Sequence, residues 1–246
     1  MTTVLLSKLK DFFIGSLLIG IIWYAAYLII DRNVMPNPIS VFQALPDLLN
    51  HNIALHFMHS IYRIFAGLIF SMIIGLAIGI IAADKAASKI LSPLLYFTYP
   101  IPRAAFLPVV MLIFGLGDTS KIIMITLIIV FPIIIVVRDT VKSIPKEVYN
   151  TLICLGASRL QMFFTVTLPW AASGILSTVR ISLGTATAIL FFTETYGTTY
   201  GMGFFILDMW QRLNYVMMFA GIVVLSITGF FMFVFVDVLE GLFIKR

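Results

Sequence analysis

Ile144–Pro169, IPKEVYNTLICLGASRLQMFFTVTLP, lies between two long apolar stretches and decides how the rest of the chain is read. It is too polar to cross a membrane and too regularly patterned for a slack loop. Pro145 can open a short helix, because its missing N–H falls where helix donors are unpaired anyway. From Glu147 to Leu155 the apolar residues Val148, Leu152 and Leu155 share one face at helical spacing. Gly156 then supplies a sharp corner. A second amphipathic run from Ser158 to Val166 is expected to end at Leu168-Pro169, just before the next apolar span. A helix–Gly–helix hairpin held at a membrane surface is suited to insertion into a partner's groove.

Composition puts the flanking sequence in lipid. The 246 residues are 61% hydrophobic and 11% charged, with a mean hydropathy of +1.09, whereas soluble domains are roughly 45–50% apolar and about 25% charged. The length suits about six spans of roughly 20 residues with their connections. They are expected near 12–30, 61–82, 91–114, 119–138, 173–193 and 216–239. Lys8 and Lys10 precede the first span, which is too long for a signal-peptide core and lacks a small-residue cleavage site, so an uncleaved anchor is expected. Cys154 is the single cysteine, which rules out a disulfide within one chain, and it reads as a packed thiol.

Basic residues near span ends set the orientation. With the N-terminus inside, Lys8, Lys10, Lys85, Lys89, Arg138, Lys142, Lys146, Arg159, Lys245 and Arg246 are cytoplasmic. Only Arg32, Arg63, Lys121 and Arg212 are then outside. Both termini and the Gly156 hairpin therefore belong in the cytoplasm. The net charge of +5 is a topology signal with no continuous basic patch, and no nucleic-acid partner is expected.

Three spans carry more than hydropathy. The second places Gly67, Ser71, Gly75, Gly79 and Ala83 at every fourth position, a small-residue ridge that serves either packing within the chain or a dimer face. The third contains Pro93, Pro100, Pro102 and Pro108 around Arg103, so it should be broken. Non-helical backbone at membrane depth is tolerated where protein buries it or a water-filled path passes it, and an ionisable residue in a span is a functional candidate by default. The fifth aligns Ser173, Ser177, Arg180, Gly184, Thr187, Phe191 and Glu194 on one polar face, which must look at protein or water. Arg180 and Glu194 are about 21 Å apart along one helix and cannot pair with each other. Beyond Glu194, Gly197, Gly201 and Gly203 lead into an aromatic stretch ending at Trp210, read as an outer gate, a re-entrant turn or an ordinary loop.

The remaining polar residues have blander readings. Asp237 and Glu240 fit snorkelling to the interface. His51, His56 and His59 lack the spacing of a one-face metal pair and read as exposed loop histidines. Gly115-Leu116-Gly117-Asp118 matches the Gly-x-Gly-Asp signature of intramembrane aspartyl proteases. That chemistry needs a second carboxylate close by; the next acid, Asp139, lies about 30 Å away along a helix, at the opposite membrane face. The tetrapeptide therefore reads as a turn. No phosphate-cradling Gly-x-x-x-x-Gly-Lys-Ser/Thr occurs, so the chain has no nucleotide site of that kind, and no cofactor is expected. A secondary transporter or channel working alone remains an alternative, but it would not require the hairpin.

Gly156, nine residues, Val166, one residue and Leu168-Pro169 resemble the EAA loop of permease subunits of binding-protein-dependent ABC importers. The resemblance covers nearly the whole chain and is nearest to the nitrate/sulfonate/taurine branch, on Pro100-Ile-Pro102, Pro108, Phe114-Gly115-Leu116-Gly117 with Ser120-Lys121, Leu155-Gly-Ala-Ser158, and Glu194 followed by Gly201-Met-Gly203. The Glu-Ala-Ala that names the loop is replaced here by Asn150-Thr151-Leu152, with Glu147 one turn earlier as a substitute acid. The resemblance implies an all-α integral membrane protein of the type I ABC-importer permease fold, multi-pass in a prokaryotic inner membrane. It divides the chain into 1–52, an N-terminal helix with an outer segment, and 53–242, a transport core holding the coupling loop 144–169. It implies two copies of a separate ATPase, an extracytoplasmic binding protein and a second copy of the permease as partners. ATPase coupling falls to Glu147, Asn150, Thr151, Leu155, Gly156, Ala157, Ser158 and Arg159, and the translocation path to Arg103, Arg180, Gly184, Thr187 and Glu194. The cargo implied is a small anion such as nitrate, a sulfonate or taurine, and the family also includes importers of aromatic vitamin precursors.

Overall fold

The computed structural model describes residues 2–30 and 34–243, with side chains from Phe13 onward except at 173, 242 and 243. The side chains of Ser173, Lys8 and Lys10, and Arg32, Lys245 and Arg246, lie outside what is described. Every regular element is helical: α1 (Thr2–Ile29), α2 (Pro38–Gln43), α3 (Ile53–Ala83), α4 (Lys85–Thr98), α5 (Leu107–Phe114), α6 (Asp118–Lys142), α7 (Lys146–Cys154), α8 (Arg159–Met162), α9 (Leu168–Glu194), α10 (Met202–Gln211) and α11 (Tyr215–Phe243). Among the described residues four helical stretches are long and apolar enough to cross a membrane, and five if the pair α4/α5 counts as one broken span. This corrects the expected six. The first expected span corresponds to Phe13–Ile29, a shorter apolar helix.

The small-residue ridge of α3 packs inside the chain, against α6. A Cβ on Gly67 would lie 2.5 Å from Ile125 Cγ2, one on Gly75 2.5 Å from Ile133 Cγ2, and one on Gly79 2.6 Å from Val137 Cβ. No side chain fits in those gaps, so the two backbones approach as closely as glycine allows. Ser71, fully buried, donates its hydroxyl to Gly67 O at 2.6 Å. The dimer-face reading of this ridge is therefore overturned. Around the seam, Ile64, Ile129, Ile133, Ala171, Ile175, Leu190 and Met232 form the main core, drawn from α3, α6, α9 and α11. A second core at one end holds Val41, Leu48, Met202, Phe205 and Met209 beneath α10. Large apolar side chains cover the outside, Leu112 and Phe97 among them, as lipid contact permits and water would not.

α4 and α5 meet at 83°, as the prolines predict. Arg103 holds the corner: its Nη2 donates to Tyr99 O at 3.1 Å and Thr98 O at 3.3 Å, and its guanidinium lies 4.1 Å from the centroid of the Phe131 ring. A cation thus satisfies carbonyls left open where α4 ends. The turn from α3 to α4 is capped by Asp84, which accepts from the amides of Ala86 and Ala87 at 2.8 and 3.2 Å. These donors, Ala87 foremost, hold its carboxyl below the usual carboxylate range.

Candidate functional site

The hairpin forms as its punctuation predicts. α7 ends in a Schellman turn: Gly156 has φ +77°, its N–H donates to Ile153 O at 2.9 Å, and that of Ala157 to Leu152 O at 3.0 Å. Ser158 opens α8 with a capping box, Ser158 N donating to Gln161 Oε1 at 2.7 Å and Gln161 N to Ser158 Oγ at 3.3 Å. Leu168-Pro169 does not stop the second run. Phe163–Thr167 is a π-helical turn that feeds directly into α9, so Arg159–Glu194 is one helical unit. Pro169 has no N–H to give to Thr165, and the wider turn absorbs that missing bond.

Glu147, Asn150, Thr151, Leu155, Gly156, Ser158 and Arg159 are exposed, and Ala157 is half-buried. Cys154 is exposed too, which corrects the packed-thiol reading: α7 packs through its other face. Ile153, Leu155, Leu160 and Phe164 are 57–77% exposed. Tyr149 and Thr167 share a hydrogen bond of 2.9 Å that ties α7 to the last residue of the π turn.

The polar stripe of α9 divides into three environments. Gly184, Thr187 and Phe191 line a groove of about 610 Å³ facing Ser226, Gly229 and Phe233 of α11. Nothing lies within 4 Å of a Cβ placed on Gly184. Arg180 pairs with α11, its Nη1 standing 2.9 Å from Asp237 Oδ1 and 3.3 Å from Glu240 Oε2. Asp237 is only 4% exposed, so it is an internal ion-pair partner rather than a snorkelling acid. Glu194 is wholly buried.

Around Glu194 the structure assembles a charge cluster that composition and spacing only partly announce. Arg63 of α3 donates from Nη1 to Glu194 Oε1 at 2.6 Å and to Tyr200 O at 2.7 Å, and from Nε and Nη2 to Asp118 Oδ1 at 2.8 and 2.5 Å. Ser60 Oγ donates to Glu194 at 2.8 Å, and Gly203 N to Glu194 Oε2, also at 2.8 Å. His56 Nδ1 lies 3.0 Å from Gly201 O and 3.1 Å from Gly201 N. His56 is therefore a buried helix residue, against the loop reading. Lys121, fully buried, donates to Leu116 O at 2.6 Å and holds the turn after α5. That turn contains Gly115 at φ +80°, and its Asp118 is engaged by Arg63. The sequence reading gave Ser60, Arg63 and His56 no part in a site, although His56, Ser60, Arg63 and Gly67 continue the ridge of α3 at steps of four, three and four.

Arg103 sits at the α4/α5 corner and Glu194 within the cluster. Neither lines the groove of Gly184 and Thr187.

The family profile described as binding-protein-dependent transport system inner membrane component matches residues 72–245. The chain belongs to that family and is an ABC-importer permease subunit of the nitrate/sulfonate/taurine branch, a transport component and not an enzyme. The taurine transport system permease protein of Escherichia coli (strain K12) is 32% identical over 238 residues, covering 92% of this chain and 86% of that protein. The putative aliphatic sulfonates transport permease protein of Bacillus subtilis (strain 168) is 30% identical over 219 residues, covering 88% and 79%. A chain from inward-facing structures of the MetNI methionine ABC transporter aligns with a TM-score of 0.60 at 17% identity, over 78% of this chain and 98% of that one. The all-α multi-pass membrane fold is thus that of a type I importer permease.

Proposed function

We propose that two copies of this chain enclose one translocation path, and that each offers the α7–Gly156–α8 hairpin to one of two ATPase subunits. A separate extracytoplasmic binding protein delivers the solute. The single observation that carries this reading is the hairpin itself: a rigidly capped corner whose apolar side chains Ile153, Leu155, Leu160 and Phe164 stand uncovered beside the polar Asn150, Thr151, Ser158 and Arg159. Such a mixed surface suits an amphipathic helix seated in a groove. Glu147, exposed one turn before the position of the missing family Glu, supplies the acid. Both termini and the hairpin are cytoplasmic, residues 53–242 form the transport core, and 1–52 precede it.

Gly184 and Thr187 line the path, and Arg180, one turn along α9, ties it to α11 through Asp237 and Glu240; Arg103 and Glu194 hold the neighbouring elements. The cargo is a small anion of the nitrate, sulfonate or taurine kind, a choice supported by the names of the two permeases above. Gly156→Val tests the docking. A β-branched residue does not adopt φ +77° cheaply, so the variant should insert normally yet lose the stimulation of ATPase activity by the loaded binding protein. Stimulation equal to wild type would end this assignment.

A further inference from the structure

We propose that Tyr149 and Thr167 form the contact that passes motion from the docking hairpin to α9, with the π turn beneath it as the compliant joint. This rests on the docking reading above. The backbone route from α7 to α9 is indirect: it reverses at the Gly156 corner, then runs through the short α8 and the π turn. A push on α7 sent along that route must pass a reversal of the chain and a change of helical pitch before it reaches α9. The hydrogen bond between the Tyr149 and Thr167 hydroxyls bypasses the Gly156 corner and α8 and lands on the last residue of the π turn, next to the foot of α9. Thr167 and Val166 are 8% exposed, so the landing point is packed against the bundle.

At its other end α9 is held. Glu194 is fixed by Arg63, Ser60 and the Gly203 amide. Between the two ends, Gly174 crosses α6 so closely that a Cβ there would stand 2.7 Å from Thr140 Oγ1. A helix driven at its foot, braced near it and fixed at its far end tilts and flexes between those points, where Gly184 and Thr187 line the groove. π-helical turns inside α-helices often mark such functional sites. Tyr149 and Thr167 are thus positioning residues that act through α9 and touch no solute.

The test uses the full permease assembled with its own ATPase and binding-protein partners, with hydrogen exchange followed by mass spectrometry before and after trapping with ATP and vanadate. In wild type, residues 146–158 should be protected by the docked ATPase, and exchange over 163–172 should change on trapping. Tyr149→Phe and Thr167→Val should keep the first effect and reduce the second about five-fold, the equilibrium equivalent of one net hydrogen bond. Thr167→Ser, which retains a hydroxyl, should behave as wild type. A wild-type response in Tyr149→Phe overturns the proposal, as does Thr167→Ser failing like Thr167→Val, or loss of hairpin protection in Tyr149→Phe. An unprotected hairpin in the wild-type complex would instead overturn the docking reading itself.

Discussion

Arg180 on α9 and Asp237 on α11 face each other at 2.9 Å, and the acid is almost completely enclosed while the guanidinium is about a third exposed. The guanidinium also stands 5.8 Å from the ring centroid of Phe233, which lines the groove of Gly184 and Thr187. Asp237→Asn should therefore destabilise the purified permease by about 2 kcal/mol, between the roughly 3–5 of a broken buried pair and the 0–1 of a surface pair. Glu240→Gln, at a more exposed position, should cost less. Thermal unfolding of the two variants in detergent checks the order, and equal losses would place the important contact elsewhere.

The glycines divide into those pressed on neighbours and those with open space, and substitution should follow that division. Gly203→Ala puts a Cβ 2.6 Å from Phe191 O and should sharply reduce the amount of folded protein. Gly184→Ala meets nothing within 4 Å and should fold normally. Size-exclusion profiles from membranes expressing each variant give the comparison; similar profiles would contradict the close approach.

Overpacking the α3–α6 seam should show pairwise coupling. Gly75→Ala brings a methyl to 2.5 Å from Ile133 Cγ2, a conflict of about 1–3 kcal/mol. Adding Ile133→Ala removes that methyl and should recover part of the loss, although the Ile133 Cβ remains at 2.8 Å. A double-mutant cycle on unfolding midpoints measures the coupling, and strict additivity would mean that the residues do not touch.

If the groove on α9 is wet, cysteine placed at Gly184 or Thr187 should react with small hydrophilic thiol reagents, and trapping with ATP should alter the rate. Cysteine at Ile189, partly buried against the core and on the side of α9 away from the groove-lining residues, should stay unreactive because neighbouring side chains cover it. Thr187→Leu should lower transport and leave assembly with the ATPase intact. Uniform labelling around α9, or normal transport by Thr187→Leu, would reduce the stripe to a packed seam.

Much of the bundle was legible because local chemistry dictates it. Pro145, Gly156 and Ser158 punctuate the hairpin through effects that act within a few residues, and the prolines around Arg103 announce a break wherever the chain folds. The exception nearby is Leu168-Pro169, where a π turn lets the helix run on. What could not be read was pairing at a distance. The ridge of α3 looks the same whether it meets α6 or another chain. Glu194 on the stripe of α9 gives no sign that α3 and the 200–203 turn surround it. The opposite error befell Asp237 and Cys154, judged by residue type alone: one is enclosed because a cation reaches it, the other open because its helix presents a different face to the bundle.

The enclosed cluster also ranks events during synthesis. Arg63 is made 55 residues before Asp118 and 131 before Glu194, an interval of about 7 to 26 s between first and last at ordinary elongation rates. For that time α3 carries a guanidinium whose final carboxylate does not yet exist. Asp118, at the head of α6, is the earlier of the two acids to arrive, and the same helix brings the isoleucines that fill the glycine ridge. Order of birth thus lets α3 and α6 pair, through the ridge and through Arg63 with Asp118, before Glu194 is made to lock them.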